Sequence, residues 1–109
     1  MKLCTFKVAR AIKEAGYPQS SKPIKSYDIH GVLGAEGSNY KRGKHWDAPT
    51  YLEVWLWLWR EKKIKITPID NFATYIQGFE DEIQLEGVED PEEAIIGAIE
   101  YLVDNNLIK

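Results

Sequence analysis

From Thr50 to Lys63 the chain reads Thr-Tyr-Leu-Glu-Val-Trp-Leu-Trp-Leu-Trp-Arg-Glu-Lys-Lys, with three of its four tryptophans inside five consecutive positions. So much apolar surface has to be covered, either by the chain's own core or by another molecule. Two local structures compete for it. Read as a helix, Leu52, Trp55, Leu56 and Trp59 fall on one face and Val54, Trp57 and Leu58 on the opposite one, leaving only a narrow polar strip of Glu53, Arg60 and Glu61. Read as a strand buried on both faces, Trp55, Trp57 and Trp59 alternate with Val54, Leu56 and Leu58. Periodicity does not separate the two. The capping-box spacing of Thr50 and Glu53, and the basic ending Arg60-Glu61-Lys62-Lys63, favour the helix.

The flanking segments carry clearer signals. Thr5 is placed to cap a helix whose apolar face is Phe6, Val8, Ala9, Ile12 and Ala15, stopped by Gly16 and Pro18. Asp90, Pro91 and Glu93 open a last helix with the stripe Ile95, Ile96, Ile99, Leu102 and Val103, which Asn105-Asn106 ends. Between helices, Ile24–Gly31 reads as a strand with Tyr27 and Ile29 on one face, and Tyr40–Trp46 as an irregular return across a glycine-rich turn. Ile64–Ile69 is a strand that Pro68 pushes toward an edge or an end, and Phe72–Phe79 is its hairpin partner across Asp70-Asn71. Ile83-Gln84-Leu85 adds a short extension. The order expected is α-β-β-α-β-β-α: an α+β fold with one antiparallel sheet of three or four strands packed against helices.

At 109 residues, 44% hydrophobic and 28% charged, the chain has ordinary globular composition. One domain spanning residues 1–109 is the default for that length. The longest apolar run, Val54–Trp59, is far below the ~20 residues of a membrane helix, so no membrane partner is expected. The N-terminus lacks the apolar stretch of a secretory signal, which suggests a cytoplasmic protein. A single cysteine excludes an internal disulfide, and Cys4 beside a helix start reads as a small buried hydrophobe. Residues 1–65 carry 13 Lys/Arg against 6 Asp/Glu, and residues 66–109 carry 1 against 11. This asymmetry suits an anionic partner for the basic part, or pairing of the two parts with each other.

Three groups of residues could carry function. Asp28 with His30 and His45 with Asp47 each place an acid two residues from a histidine, on one face of a strand, where a hairpin could gather them into a metal or acid–base site. No high-specificity metal or catalytic spacing accompanies them, and no catalytic residue, metal or cofactor is assigned. Tyr40, Lys41, Arg42, Lys44 and Trp46 interleave basic and aromatic side chains, the composition of a patch that tracks a nucleic-acid backbone and stacks on bases. The acidic net balance weighs against that reading, which is kept as the alternative. The third group is the Trp-rich helix itself. Its second face, Val54, Trp57 and Leu58, is the expected interface for a protein partner or a homodimer.

Several stretches taken together resemble a known group. They are Lys7-Val8-Ala9-Arg10-Ala11-Ile12-Lys13-Glu14-Ala15-Gly16-Tyr17-Pro18, the passage from Asp47-Ala48-Pro49-Thr50 into Glu53-Val54-Trp55-Leu56-Trp57-Leu58-Trp59-Arg60-Glu61, and the closing Glu92-Glu93-Ala94 helix. This pattern resembles small uncharacterised proteins of Bacteroides-group bacteria, their phages and mobile elements. The likeness touches most of the chain, and its motifs are helix caps and core stripes. It implies a mobile-element origin and transfers no catalytic residue. The tryptophan content of the central helix exceeds that of the pattern. Together these features suggest a non-enzymatic accessory protein that works through protein–protein contact.

Overall fold

The computed structural model describes residues 2–20, 25–34, 45–69 and 73–109. Among these, three α-helices and six strands follow one another as α1 (Phe6–Glu14), β1 (Ser26–Tyr27), β2 (Leu33–Gly34), β3 (Trp46–Asp47), α2 (Tyr51–Trp57), β4 (Lys65–Ile69), β5 (Ala73–Gln77), β6 (Ile83–Glu86) and α3 (Pro91–Asp104). The fold is α+β, as expected. In place of one sheet there are two antiparallel three-stranded sheets, ordered β2-β1-β3 and β4-β5-β6. By internal packing the chain divides into two compact units, one of residues 2–50 with the last two residues, the other of residues 51–107.

In the first unit Thr5 caps α1, its hydroxyl accepting from the Val8 N–H at 3.3 Å, and Val8, Ala9 and Ile12 are buried. The expected strand over Ile24–Gly31 is cut short after Tyr27. Asp28 turns the chain back on itself: its Oδ1 accepts from the N–H groups of His30 at 2.8 Å and Val32 at 2.9 Å. Gly31 then takes a φ of 77°, with its α-carbon so close to the Phe6 ring that a Cβ would lie 2.7 Å from it. The partner of β1 across this tight turn is therefore β2, and Gly34, expected in a turn, is part of a strand. β3 lies on the other side of β1, pairing Tyr27 with Trp46. The expected return strand before Trp46 lies outside the described residues, as does the Asp70-Asn71 turn.

In the second unit residues 51–57 are helical, which resolves the competition between helix and strand. The helix does not end at Trp57. It continues as a π-helical turn over Leu58–Lys62, closed by Lys63 in the left-handed region at φ 57°. The Ile64 N–H reaches back to the Leu58 carbonyl at 3.0 Å and launches β4. β4 and β5 form the expected hairpin, in register from Lys65–Gln77 to Ile69–Ala73, and β6 extends it as a full third strand. One face carries Ile66, Thr74 and Ile76, all buried, and α3 packs against β4 and β5. Asp90 caps α3 by accepting from the Glu92 N–H at 3.0 Å with Pro91 in the first turn. The predicted stripe Ile95, Ile96, Ile99, Leu102 and Val103 is buried throughout. Its exposed strip is Glu93, Gly97, Glu100 and Asp104.

Candidate functional site

The two faces of the Trp-rich helix are exchanged relative to expectation. Val54 and Leu58, expected at an interface, are completely buried, and with Tyr51 they form the core side of α2, which packs on α3. Trp57 is half-buried, with Lys62 Nζ 5.5 Å from its ring centre. The outward face is the other one. Leu52 is 42% exposed and Trp59 48% exposed, while Trp55 and Leu56 are half-buried. The physical reason is shape. Val54, on the helix that packs against α3, and Leu58 are compact enough to be wholly buried, whereas the bulkier indoles stay partly exposed at the margin. The sequence signal that separates the faces was present in these side-chain volumes, and periodicity does not register it.

The outward face meets the edge strand of the second sheet in an apolar groove of about 450 Å³. Its walls are Trp55, Leu56 and Trp59 on the helical side and Ile66, Thr67 and Pro68 on β4, with Lys65 at the rim. Three details shape it. The Trp55 indole N–H donates to the Ile66 carbonyl at 3.1 Å, tying the helix to the strand edge. Lys65 lays its ammonium over the Trp59 ring, 5.1 Å from the ring centre. The π-helical turn then sets Trp59 beside Arg60 and Lys63, which together line an adjoining hollow of about 360 Å³. The groove offers shape and apolar area to a ligand, with Lys65 and Thr67 the polar side chains of its lining.

A second cluster gathers around β3. His45 is buried, and its Nε2 lies 3.0 Å from Asp47 Oδ1 and 3.1 Å from the Ser20 carbonyl. Both neighbours are acceptors, so the ring proton is assigned to Nε2. Asp47 Oδ2 accepts from the Ser20 N–H at 2.7 Å, and the Asp47 N–H donates to Gln19 Oε1 at 2.8 Å. Lys13 donates to the His45 carbonyl at 2.6 Å. These bonds pin the segment after α1 to β3, while His45 Nδ1 and Asp47 Oδ1 are buried without a hydrogen-bond partner. Asp28 and His30 do not join them: Asp28 is spent on its own turn, and His30 is exposed. Among the described residues, no group of three or more His, Cys, Asp or Glu side chains is placed to hold a metal ion.

Electrostatic perturbation is seen at Asp28 and Tyr27. The Val32 N–H, with lesser help from the His30 N–H, holds the Asp28 carboxyl below its ordinary pKa. Burial, with the Cys4 thiol adding to it, raises Tyr27, whose hydroxyl donates to the Cys4 carbonyl at 2.7 Å. Cys4 is fully buried. Of the basic–aromatic segment, Tyr40, Lys41, Arg42 and Lys44 lie outside the described residues. Trp46 is half-buried, in a T-shaped contact with Phe6 with ring centres 5.3 Å apart, and the Lys13 ammonium lies over its ring at 5.3 Å.

Among the described residues, no helix is long and apolar enough to cross a membrane. Compared with protein-family models, curated proteins and solved structures, the chain matches none.

Proposed function

We propose that the protein is a non-enzymatic accessory protein, cytoplasmic and of phage or mobile-element origin, that acts by docking a protein partner in the Trp55–Trp59 groove. The observation that carries this reading is Trp59. It is 48% exposed at the mouth of an apolar groove whose other walls are apolar as well. Large aromatic side chains left half in water beside a pocket are what binding hot spots are made of, and they are costly to leave there without a use. The groove replaces Val54, Trp57 and Leu58 as the contact surface, because two of those three are core residues.

The test is a photo-crosslinking amino acid introduced at position 59 in the living host, with position 100 on α3 as a control. Glu100 is exposed and far along the acidic strip from any groove residue in sequence. A discrete protein adduct at 59 and none at 100 is the expected outcome. Equal, diffuse labelling at both positions would remove the docking reading.

A further inference from the structure

The charges around the groove are not distributed like those of the rest of its unit. Residues 51–107 contain thirteen Asp and Glu but only four cations, Arg60, Lys62, Lys63 and Lys65. All four fall within six positions, on the π-helical turn and the start of β4, beside the tryptophans. Three of them are in defined places. Lys65 covers the Trp59 ring, Lys62 covers the Trp57 ring, and Lys63 is held by its Nζ donating to the Arg60 carbonyl at 2.9 Å. For Lys62 and Lys65 the ammonium itself lies over the indole, which fixes two of the charges beside the tryptophans. A unit otherwise strongly acidic thus presents one cationic border beside its apolar groove: Lys65 lines the groove, and Arg60 and Lys63 line the hollow that adjoins it at Trp59.

The backbone of β4 limits how an occupant can bind. β4 is an edge strand, bonded only to β5. Pro68 carries no N–H, so it stands where a donor would face away from β5, and Ile66, two residues earlier, directs its backbone the same way. The Ile66 carbonyl on that side is already taken by Trp55. At most the Ile66 N–H and the Pro68 carbonyl are left on that side, too few for a strand to add to the edge, so side chains must supply the contact.

Resting on the docking reading above, we infer that the occupant is an amphipathic helical segment of a partner protein with large apolar side chains flanked by carboxylates. The apolar side chains fill the groove, and the carboxylates meet Arg60, Lys63 and Lys65. Rim charges of this kind select the partner and speed its approach more than they add to affinity. A second copy of this chain fits less well. The exposed strip of α3 brings Glu93, Glu100 and Asp104 without an apolar anchor, and the exposed Ile29, Val32, Leu33, Ile69 and Val88 all lie off the helices.

The experiment titrates the intact protein with two synthetic amphipathic peptides that share a leucine face and differ only in flanking glutamates or lysines. Tryptophan fluorescence and peptide anisotropy are read at low and high salt. The glutamate peptide should bind about tenfold or more tightly than the lysine peptide at low salt, with the gap closing at high salt. The triple variant Arg60→Gln/Lys63→Gln/Lys65→Gln, checked for an unchanged circular dichroism spectrum, should bind both peptides equally, and Trp59→Ala should bind neither. Equal affinity of the two peptides for the unmodified protein overturns the acidic-partner inference and leaves the docking reading standing. No binding of either peptide overturns the inference too, and the crosslink at position 59 then decides the docking reading independently. A concentration-dependent dimer in sedimentation that Trp59→Ala dissolves would assign the groove to a second copy and overturn it as well.

Discussion

Trp55 and Ile66 are joined by an indole N–H donating to a backbone carbonyl at 3.1 Å, across the line where the Trp-rich helix meets the edge of the second sheet. The bond satisfies a half-buried indole and at the same time closes one acceptor on an otherwise open strand edge. Replacing Trp55 by Phe keeps most of the ring and removes the donor. Urea denaturation should show a loss of about 0.5–1.5 kcal/mol, the net value of one such bond. A change indistinguishable from zero would mean that the carbonyl finds water as readily as it finds the indole.

The exchanged faces of α2 make opposite predictions for neighbouring residues. Leu58 is fully buried, so Leu58→Ala should cost about 2–5 kcal/mol through lost transfer energy and the cavity left behind. Trp59, a residue away and 48% exposed, should lose far less on truncation, roughly 1 kcal/mol or below. Both variants can be compared by thermal and chemical denaturation. A reversed ranking would put the tryptophan in the core and the groove in doubt.

Gly78 follows β5 with a φ of 121°, and a Cβ there would collide with the Lys63 carbonyl oxygen. Lys63 is itself in the left-handed region, closing the π-helical turn. Gly78→Ala therefore meets strain from two directions, an unfavourable φ and a backbone contact that has no flexible side chain to yield. A loss of about 1–3 kcal/mol is expected. Gly97, exposed on α3 with open space where a Cβ would go, is the contrasting site: Gly97→Ala should stabilise by about 0.5–1 kcal/mol.

The Asp28 turn carries a pH signature. Its carboxylate is favoured in the folded protein by backbone N–H groups, chiefly that of Val32, so its pKa lies below the ordinary 3.8. A depressed folded pKa means that the stabilisation is complete above the unfolded value and disappears as pH falls through the folded one. Side-chain carboxyl NMR of the native protein should place the Asp28 midpoint below those of exposed aspartates. Asp28→Asn should flatten the acid limb of the stability profile.

Much of this architecture is legible in single residues. Thr5 before α1, and Asp90-Pro91 before α3, are capping signals whose chemistry is complete within one helical turn, and both helices start where those residues stand. Pro68 marked an edge or an end for β4 because a missing N–H is a local fact. The five-residue stripe of α3 is buried as its spacing requires. The strand expected through Ile29 was misjudged because Asp28 and Gly31 together make a turn, a combination that strand alternation conceals.

What the amino-acid order determined by itself is thus the two capped helices α1 and α3, the β4–β5 hairpin and an apolar segment too large to cover itself, favoured as a helix by Thr50 and Glu53 and made one by the fold. Local hydrogen-bonding chemistry and side-chain periodicity act over a few residues, so they can be read without partners. Only the tertiary structure decided that strands divide into two sheets, that the helix ends in a π-helical turn, and which of its apolar faces is inside. The last choice depends on fit against a surface distant in sequence. Val54 and Leu58 are compact enough to be wholly buried, and Trp55 and Trp59 are not, so the tryptophans are left to line the groove.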